Sequence, residues 1–181
     1  MVETAARLFR EHGFEGIGVA ELMKHAGFTH GGFYNHFASK EALAVKAVNF
    51  AFRQRAAEVT PGDGIDKILR RYISDEHLNQ RGESCPIAGL GSDAALHQTE
   101  EVKAVFREGI EALIRTYEAA LSDRATLSHE SRRALAMNVL AKAVGAVVMA
   151  RAVPAGDPLS HEILETCLAG ALADVAPRAG G

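Results

Sequence analysis

Between Thr29 and Lys40 the sequence gathers a hydroxyl (Thr29), two imidazoles (His30 and His36), a phenol (Tyr34), a carboxamide (Asn35) and an ammonium (Lys40). Hydroxyl, phenol, imidazole and ammonium groups all donate hydrogen bonds to phosphate oxygens, and a carboxamide can pair with the edge of a base. Two adjacent glycines, Gly31 and Gly32, lie among them. Each costs a helix interior about 1 kcal/mol relative to alanine, so a purely structural helix has little reason to carry both. On an exposed helix they let the backbone come close to a partner.

The flanking residues say how this set is positioned. Val19, Leu22, Met23 and Ala26 repeat at helical spacing behind Gly18, which serves as an N-cap. Glu21 lies in the first turn, where the helix dipole favours an acid. Gly27 ends that helix, and Phe28 is expected to drop into the core. Thr29 then caps a second short helix, expected over His30 to His36, that buries Phe33 and turns His30, Gly31, Gly32, Tyr34, Asn35 and His36 outward. Two short helices joined by a tight glycine turn form the unit that lays its second helix in the major groove of DNA.

At these residues, and on through THGGFYNHFASKEAL from Thr29 to Leu43, the sequence resembles the TetR family of bacterial transcriptional regulators. The resemblance is specific from Val2 to about Val48 and architectural beyond. It implies an all-α protein, with an N-terminal three-helix helix-turn-helix DNA-binding domain and a C-terminal helical ligand-binding and dimerisation domain. By this resemblance Thr29, Tyr34, His36 and Lys40 match positions that touch phosphates. His30, Gly31, Gly32 and Asn35 match positions that face the bases. The implied function is a homodimeric repressor released from double-stranded operator DNA by a small-molecule effector. Family members often carry threonine or arginine near the start of the first reading helix, where this sequence has Gly18, Val19 and Ala20, so one or two phosphate contacts are expected to be missing. They also usually carry a basic arm ahead of the first helix, which here follows Met1 directly.

Composition agrees with a helical protein and narrows its partners. Of 181 residues, 48% are hydrophobic and 6% aromatic, with no tryptophan. Net charge is −3, which by itself argues against a general nucleic-acid binder. The distribution differs: residues 1–57 carry seven basic and five acidic side chains, so a mildly basic head precedes an acidic remainder. No run of about 18 uncharged apolar residues exists, so no membrane span is expected. The N-terminus lacks the layout of a signal peptide, which points to the cytoplasm. His25, His30 and His36 lack the spacing that puts two ligands on one helix face, and no cysteine pair accompanies them, so no metal is expected. The glycines at 13, 16, 18, 89 and 91 form no phosphate-cradling loop. No nucleophile triad or carboxylate pair stands out, and neither an enzyme nor a cofactor is expected.

A first helix is expected from Val2 to about His12, stopped by Gly13, and a fourth from Lys40 to about Glu58 behind Ser39. The functional division is expected at 1–48 and 49–181, inside that fourth helix. Thr60 to Gly64 is the clearest break. Helices follow over Asp66 to about Gln80, from Pro86 with Ser92 capping a further turn or a continuation to His97, over Glu100 to about Ser122, behind a capping Ser128 to about Val153, and from Pro158 onward behind Asp157, with Pro177 to Gly181 fraying. Apolar residues at helical spacing give a candidate lining for a hydrophobic or aromatic effector: Tyr72, Phe106, Ile110, Tyr117, Met137, Leu140 and Val144. Ala136, Ala143, Gly145, Ala146, Ala150, Gly170 and Ala171 would allow close approach between the last two helices and those of a second subunit. Cys85, ahead of a proline-started helix, is a candidate redox sensor, since a helix N-terminus can activate a thiol; Cys167 falls on an apolar face. Two other readings stand beside the repressor. One is a thiol- or electrophile-sensing regulator acting through Cys85. The other is an all-helical ligand-binding protein or enzyme whose head makes only protein contacts.

Overall fold

A computed structural model of the chain describes residues 1–60, 62–122 and 127–177. Among these it forms α-helices and one 3-10 turn, with no strand. The order is α1 (Val2–His12), α2 (Val19–His25), α3 (His30–Phe33), α4 (Lys40–Ala57), α5 (Ile65–Tyr72), α6 (Asp75–Asn79), a 3-10 turn (Arg81–Glu83), α7 (Pro86–His97), α8 (Glu100–Ala120), α9 (His129–Ala152) and α10 (Pro158–Val175). Pro61 in the expected turn, and residues 178–181 of the expected frayed end, lie outside the described residues.

Contacts group the chain into two compact units, Met1–Ala57 with Gln80–Ile110, and Glu58–Asn79 with Glu111–Gly181. Packing therefore assigns 80–110 to the same unit as the N-terminal helices, a grouping that differs from a division at residue 48. In the first unit α1 lies on α4, and Leu8, Phe9, Phe14, Leu22, Met23, Phe33, Leu43 and Val48 fill the core. Gly13 stops α1 with φ +79°, a left-handed conformation that suits glycine, and its N–H reaches the Phe9 carbonyl at 2.7 Å. Phe14 then folds back, its ring centroid 5.2 Å from that of Phe9.

A buried arginine joins α1 to the segment at 80–97. Arg10 donates from Nε to the Ala6 carbonyl (3.0 Å), from Nη1 to the Ser84 carbonyl (2.9 Å) and from Nη2 to Gln54 Oε1 (3.0 Å). Asp93 of α7 accepts from the Phe14 N–H at 2.9 Å. A Cβ on Gly82 would meet Glu11 Oε1 at 2.4 Å and Arg7 Cγ at 2.6 Å, so the 3-10 turn lies directly on α1.

In the second unit α10 packs on α9, and Ala136, Val139, Leu140, Ala143, Val147, Leu164, Ala171 and Val175 are buried. Ser128 and Asp157 cap these helices as expected, accepting from Ser131 N (3.1 Å) and Leu159 N (2.9 Å). Lys142 of α9 pairs with Asp174 of α10. Arg133 forks onto Glu111 at 2.7 and 3.0 Å. The single helix expected over 66–80 is broken. Ile73 leaves the helical region (φ −92°, ψ 79°), and Ser74 Oγ accepts from His77 N at 3.2 Å, starting α6. α9 is long and apolar enough in composition to cross a bilayer. Its buried alanines and its ion pairs to Glu111 and Asp174 are those of a core helix.

Candidate nucleic-acid interface

The turn before α3 is closed by two backbone hydrogen bonds. Phe28 N donates to the Met23 carbonyl (2.9 Å) and Gly27 N to the Lys24 carbonyl (3.2 Å), with Gly27 at φ +76°. This is the paired closure that glycine permits at a helix end. Thr29 caps α3, its Oγ1 accepting from Gly32 N at 3.3 Å. The helix ends at Phe33, three residues short of the expected His36. Tyr34 to His36 continue as a turn held by His36 N and Phe37 N on the Phe33 carbonyl, at 2.9 and 3.0 Å. Four helical residues are what two glycines, with their low propensity, leave of the longer helix.

This turn presents one continuous surface. Thr29, Gly31, Tyr34, Asn35 and His36 are exposed, Tyr34 to 62%, while Gly32 is half-buried. The side chain of His30 lies outside the described residues. Phe33 is fully buried and stacks on Phe37 at 5.7 Å, fixing which face turns out. A Cβ on Gly31 would meet nothing within 4 Å, so packing inside the chain does not require glycine there. On Gly32 it would lie 3.3 Å from the capping Thr29 Oγ1.

Phe28 is not in the core. It is 46% exposed, its ring edge-on to His36 with centroids 6.2 Å apart. Phe33 and Phe37 already fill the apolar space of this corner, and the bond from Phe28 N to Met23 sets the chain direction. Ser39 caps α4, accepting from Ala42 N at 3.2 Å. The Ser39 hydroxyl, with Glu41's own backbone and Lys40 adding, holds the Glu41 carboxyl below its ordinary range. Lys40 therefore opens α4, and its Nζ lies 3.8 Å from Glu15 Oε2. The Glu15 contact has no local signal, since the two residues meet only when α1 docks on α4.

The candidate effector residues do not share one compact unit. Phe106 and Ile110 belong to the first; Tyr72, Tyr117, Met137, Leu140 and Val144 belong to the second. Tyr72, Phe106, Tyr117 and Leu140 are buried, and Ile110 and Val144 half-buried. Met137 is 42% exposed on the outer side of α9 and lines no interior, because α10 covers the opposite face. Of the small residues expected between subunits, Ala136, Ala143, Ala146, Ala150 and Ala171 are buried within the chain, while Gly145 and Gly170 are half-buried and a Cβ on Gly145 would meet nothing within 4 Å. Cys85 sits at the N-cap of α7 as expected but has no exposed surface, which a thiol reacting with an external reagent requires. Cys167 is half-buried. A polar recess in the first unit, lined by Glu3, Thr4, Arg7, Arg10, Gln54 and Glu83, escaped the sequence reading. Its residues come from three separate segments.

A short, capped, glycine-bared turn on a three-helix corner is the reading head of a helix-turn-helix protein, and the chain is a DNA-binding transcriptional regulator. The family model described as bacterial regulatory proteins, tetR family, matches residues 1–47. Through these residues the chain carries the N-terminal domain of the TetR family. It is similar over most of its length to the regulator LmrA of Bacillus subtilis, with 28% identity across 93% of this chain and 92% of that one. The repressor NemR of Escherichia coli is 29% identical over 68% of this chain and 66% of its own length. The reduced form of E. coli NemR superposes with a TM-score of 0.80 over 99% of this chain and 96% of that one, at 26% identity. AibR, solved with isovaleryl coenzyme A and operator DNA, shares the fold: TM-score 0.60 and 20% identity over 93% of this chain and 94% of that one.

Proposed function

We propose that this regulator is a homodimeric repressor whose Thr29–Lys40 surface touches operator DNA. The observation that carries the reading is the outward face of α3 and the turn after it, where donors and a sterically unneeded glycine lie side by side. Thr29, Tyr34, His36 and Lys40 donate to phosphates; His30, Gly31, Gly32 and Asn35 face base edges. Residues 1–48 serve DNA, and 49–181 serve the effector and the second subunit. The exposed side of α9, with Met137, Val148 and Met149, forms the subunit contact, which sets the two heads at the spacing of two half-sites. A hydrophobic or aromatic effector binds better to the conformation whose heads are wrongly spaced, and that difference in affinity releases the operator. NemR, similar in sequence, is a repressor by name, which supports the reading.

The test is fluorescence anisotropy on duplex DNA from upstream of the protein's own coding sequence, across salt concentrations. Sequence-specific, salt-sensitive binding that falls on Tyr34→Ala and Lys40→Ala supports the proposal. Binding that neither variant disturbs rejects this face. Sedimentation showing a monomer at micromolar concentration removes the dimer, and effectors are found by thermal stabilisation.

A further inference from the structure

Lys40 is the one lysine in the proposed DNA face, and it does not stand alone. Glu15 Oε2 lies 3.8 Å from its Nζ. The lysine side chain is only 21% exposed, so its stem is packed and its ammonium confined, while Glu15 is 73% exposed. The segment that carries Glu15 is fixed on both sides. Before it, Phe14 is buried and its N–H is held by Asp93. After it, Gly16 lies so close to α1 that a Cβ would fall 1.9 Å from the His12 carbonyl oxygen. An acid is thereby presented at the position from which the ammonium must reach a phosphate.

We propose that Glu15 is a built-in electrostatic brake on DNA binding, holding Lys40 in an intramolecular pair that is given up when the lysine turns to a phosphate. This rests on the DNA-contacting role proposed for Lys40. Two consequences follow from the charges. An exposed pair at this distance is weak, so freeing Lys40 tightens binding about threefold per head, about 0.65 kcal/mol. A lysine arriving at a phosphate releases a counterion from DNA, but a carboxylate left behind gathers a cation of its own. Glu15 therefore cancels part of the salt dependence that Lys40 would contribute. The brake acts on a phosphate contact, so it scales binding to operator and to random duplex by a similar factor.

The test compares the full-length protein with Glu15→Gln, Lys40→Gln and the double variant on a labelled random-sequence duplex, between about 50 and 200 mM salt. Melting temperatures confirm that the folds match. The expected result is that Glu15→Gln binds about threefold tighter per head, with a slope of log affinity against log salt steeper by up to about 0.9. The gain disappears when Lys40 is also replaced. Glu15→Gln binding equal to or weaker than the parent overturns the brake. So does an equal gain in the Lys40→Gln background, which would make Glu15 a general repulsive charge. A parent protein that binds no duplex at any salt fails the DNA-binding reading itself, and the brake with it.

Discussion

Gly31→Ala separates what α3 needs for folding from what it needs for binding. Gly31 is helical with no positive φ, and a Cβ there meets nothing within 4 Å. Alanine should therefore fit the folded chain and relieve the propensity cost of glycine, worth about 0.5–1 kcal/mol. In a chain of this size that raises the melting temperature by about 1–4 °C. On DNA the outcome reverses. A methyl on the surface that meets base edges pushes the backbone away, and affinity for a specific duplex should fall at least tenfold, about 1.4 kcal/mol. Gly32→Ala is the internal comparison. Its Cβ lies 3.3 Å from Thr29 Oγ1 and strains a cap worth about 1 kcal/mol, so it should weaken DNA binding and lower stability as well. Circular dichroism melts and fluorescence anisotropy read both quantities on the same samples. A Gly31→Ala protein that binds as tightly as the parent refutes the close approach of α3 to DNA. One that melts lower refutes the argument that packing leaves this position open.

Three further outcomes test the framework behind the head. Arg10→Met removes the guanidinium's hydrogen bonds to the Ala6 and Ser84 carbonyls and to Gln54 and should cost about 3 kcal/mol, lowering the melting temperature by roughly 6–12 °C; a change under about 2 °C contradicts the anchoring role. Gly109→Ala places a Cβ 2.4 Å from the Phe52 ring, which is itself packed edge-on against Phe106, so overpacking of about 1–3 kcal/mol should outweigh the helix gain, and Phe52→Leu should restore part of the loss. Asp63 is held below its ordinary value of 3.8 first by the Lys67 hydrogen bond and then by the Thr60 N–H. Its contribution is complete above that value and lost as pH falls through the lowered folded one, so Asp63→Asn should melt lower than the parent near neutrality and converge with it in acid; curves that stay parallel in acid dispose of the linkage.

The reading head was legible because its information is local. A cap, a glycine turn and a buried aromatic within one short stretch fix each other through bonds between near neighbours, such as Gly32 N to Thr29 Oγ1. Phe28 escaped because apolar character does not say which of three neighbouring phenylalanines takes the core; Phe33 and Phe37 stack there and leave Phe28 beside His36. The break at Ile73 and Ser74 escaped for a similar reason. The apolar spacing runs through it, with Tyr72 and Ile73 both buried, and only the Ser74 hydroxyl on His77 N shows that the chain restarts. Arg10 and the pair of Lys40 with Glu15 depend on which helices dock, a property of the whole fold rather than of any stretch.

The last helices carry this argument furthest. Small residues mark where backbones approach closely, but they do not say whose backbone approaches. Ala136, Ala143, Ala146 and Ala150 of α9 are buried within the chain, whereas Gly145 on the same helix is half-buried and a Cβ there would meet nothing within 4 Å. The spacing was thus informative about close packing, without separating the residues packed inside the chain from those left open to a second subunit. The exposed side of α9 carries the large apolar residues Met137, Val148 and Met149 beside the small Ala134 and Ala141. A single methionine-to-charge replacement there, Met149→Glu, leaves the α10 contact untouched while burying an unpaired carboxylate in any interface formed on that side. Sedimentation should show that variant shifted to the monomer with its melting of helix content retained, since an unpaired charge is tolerated in water and not between two apolar helices. A variant that remains dimeric moves the subunit contact to another face of the protein.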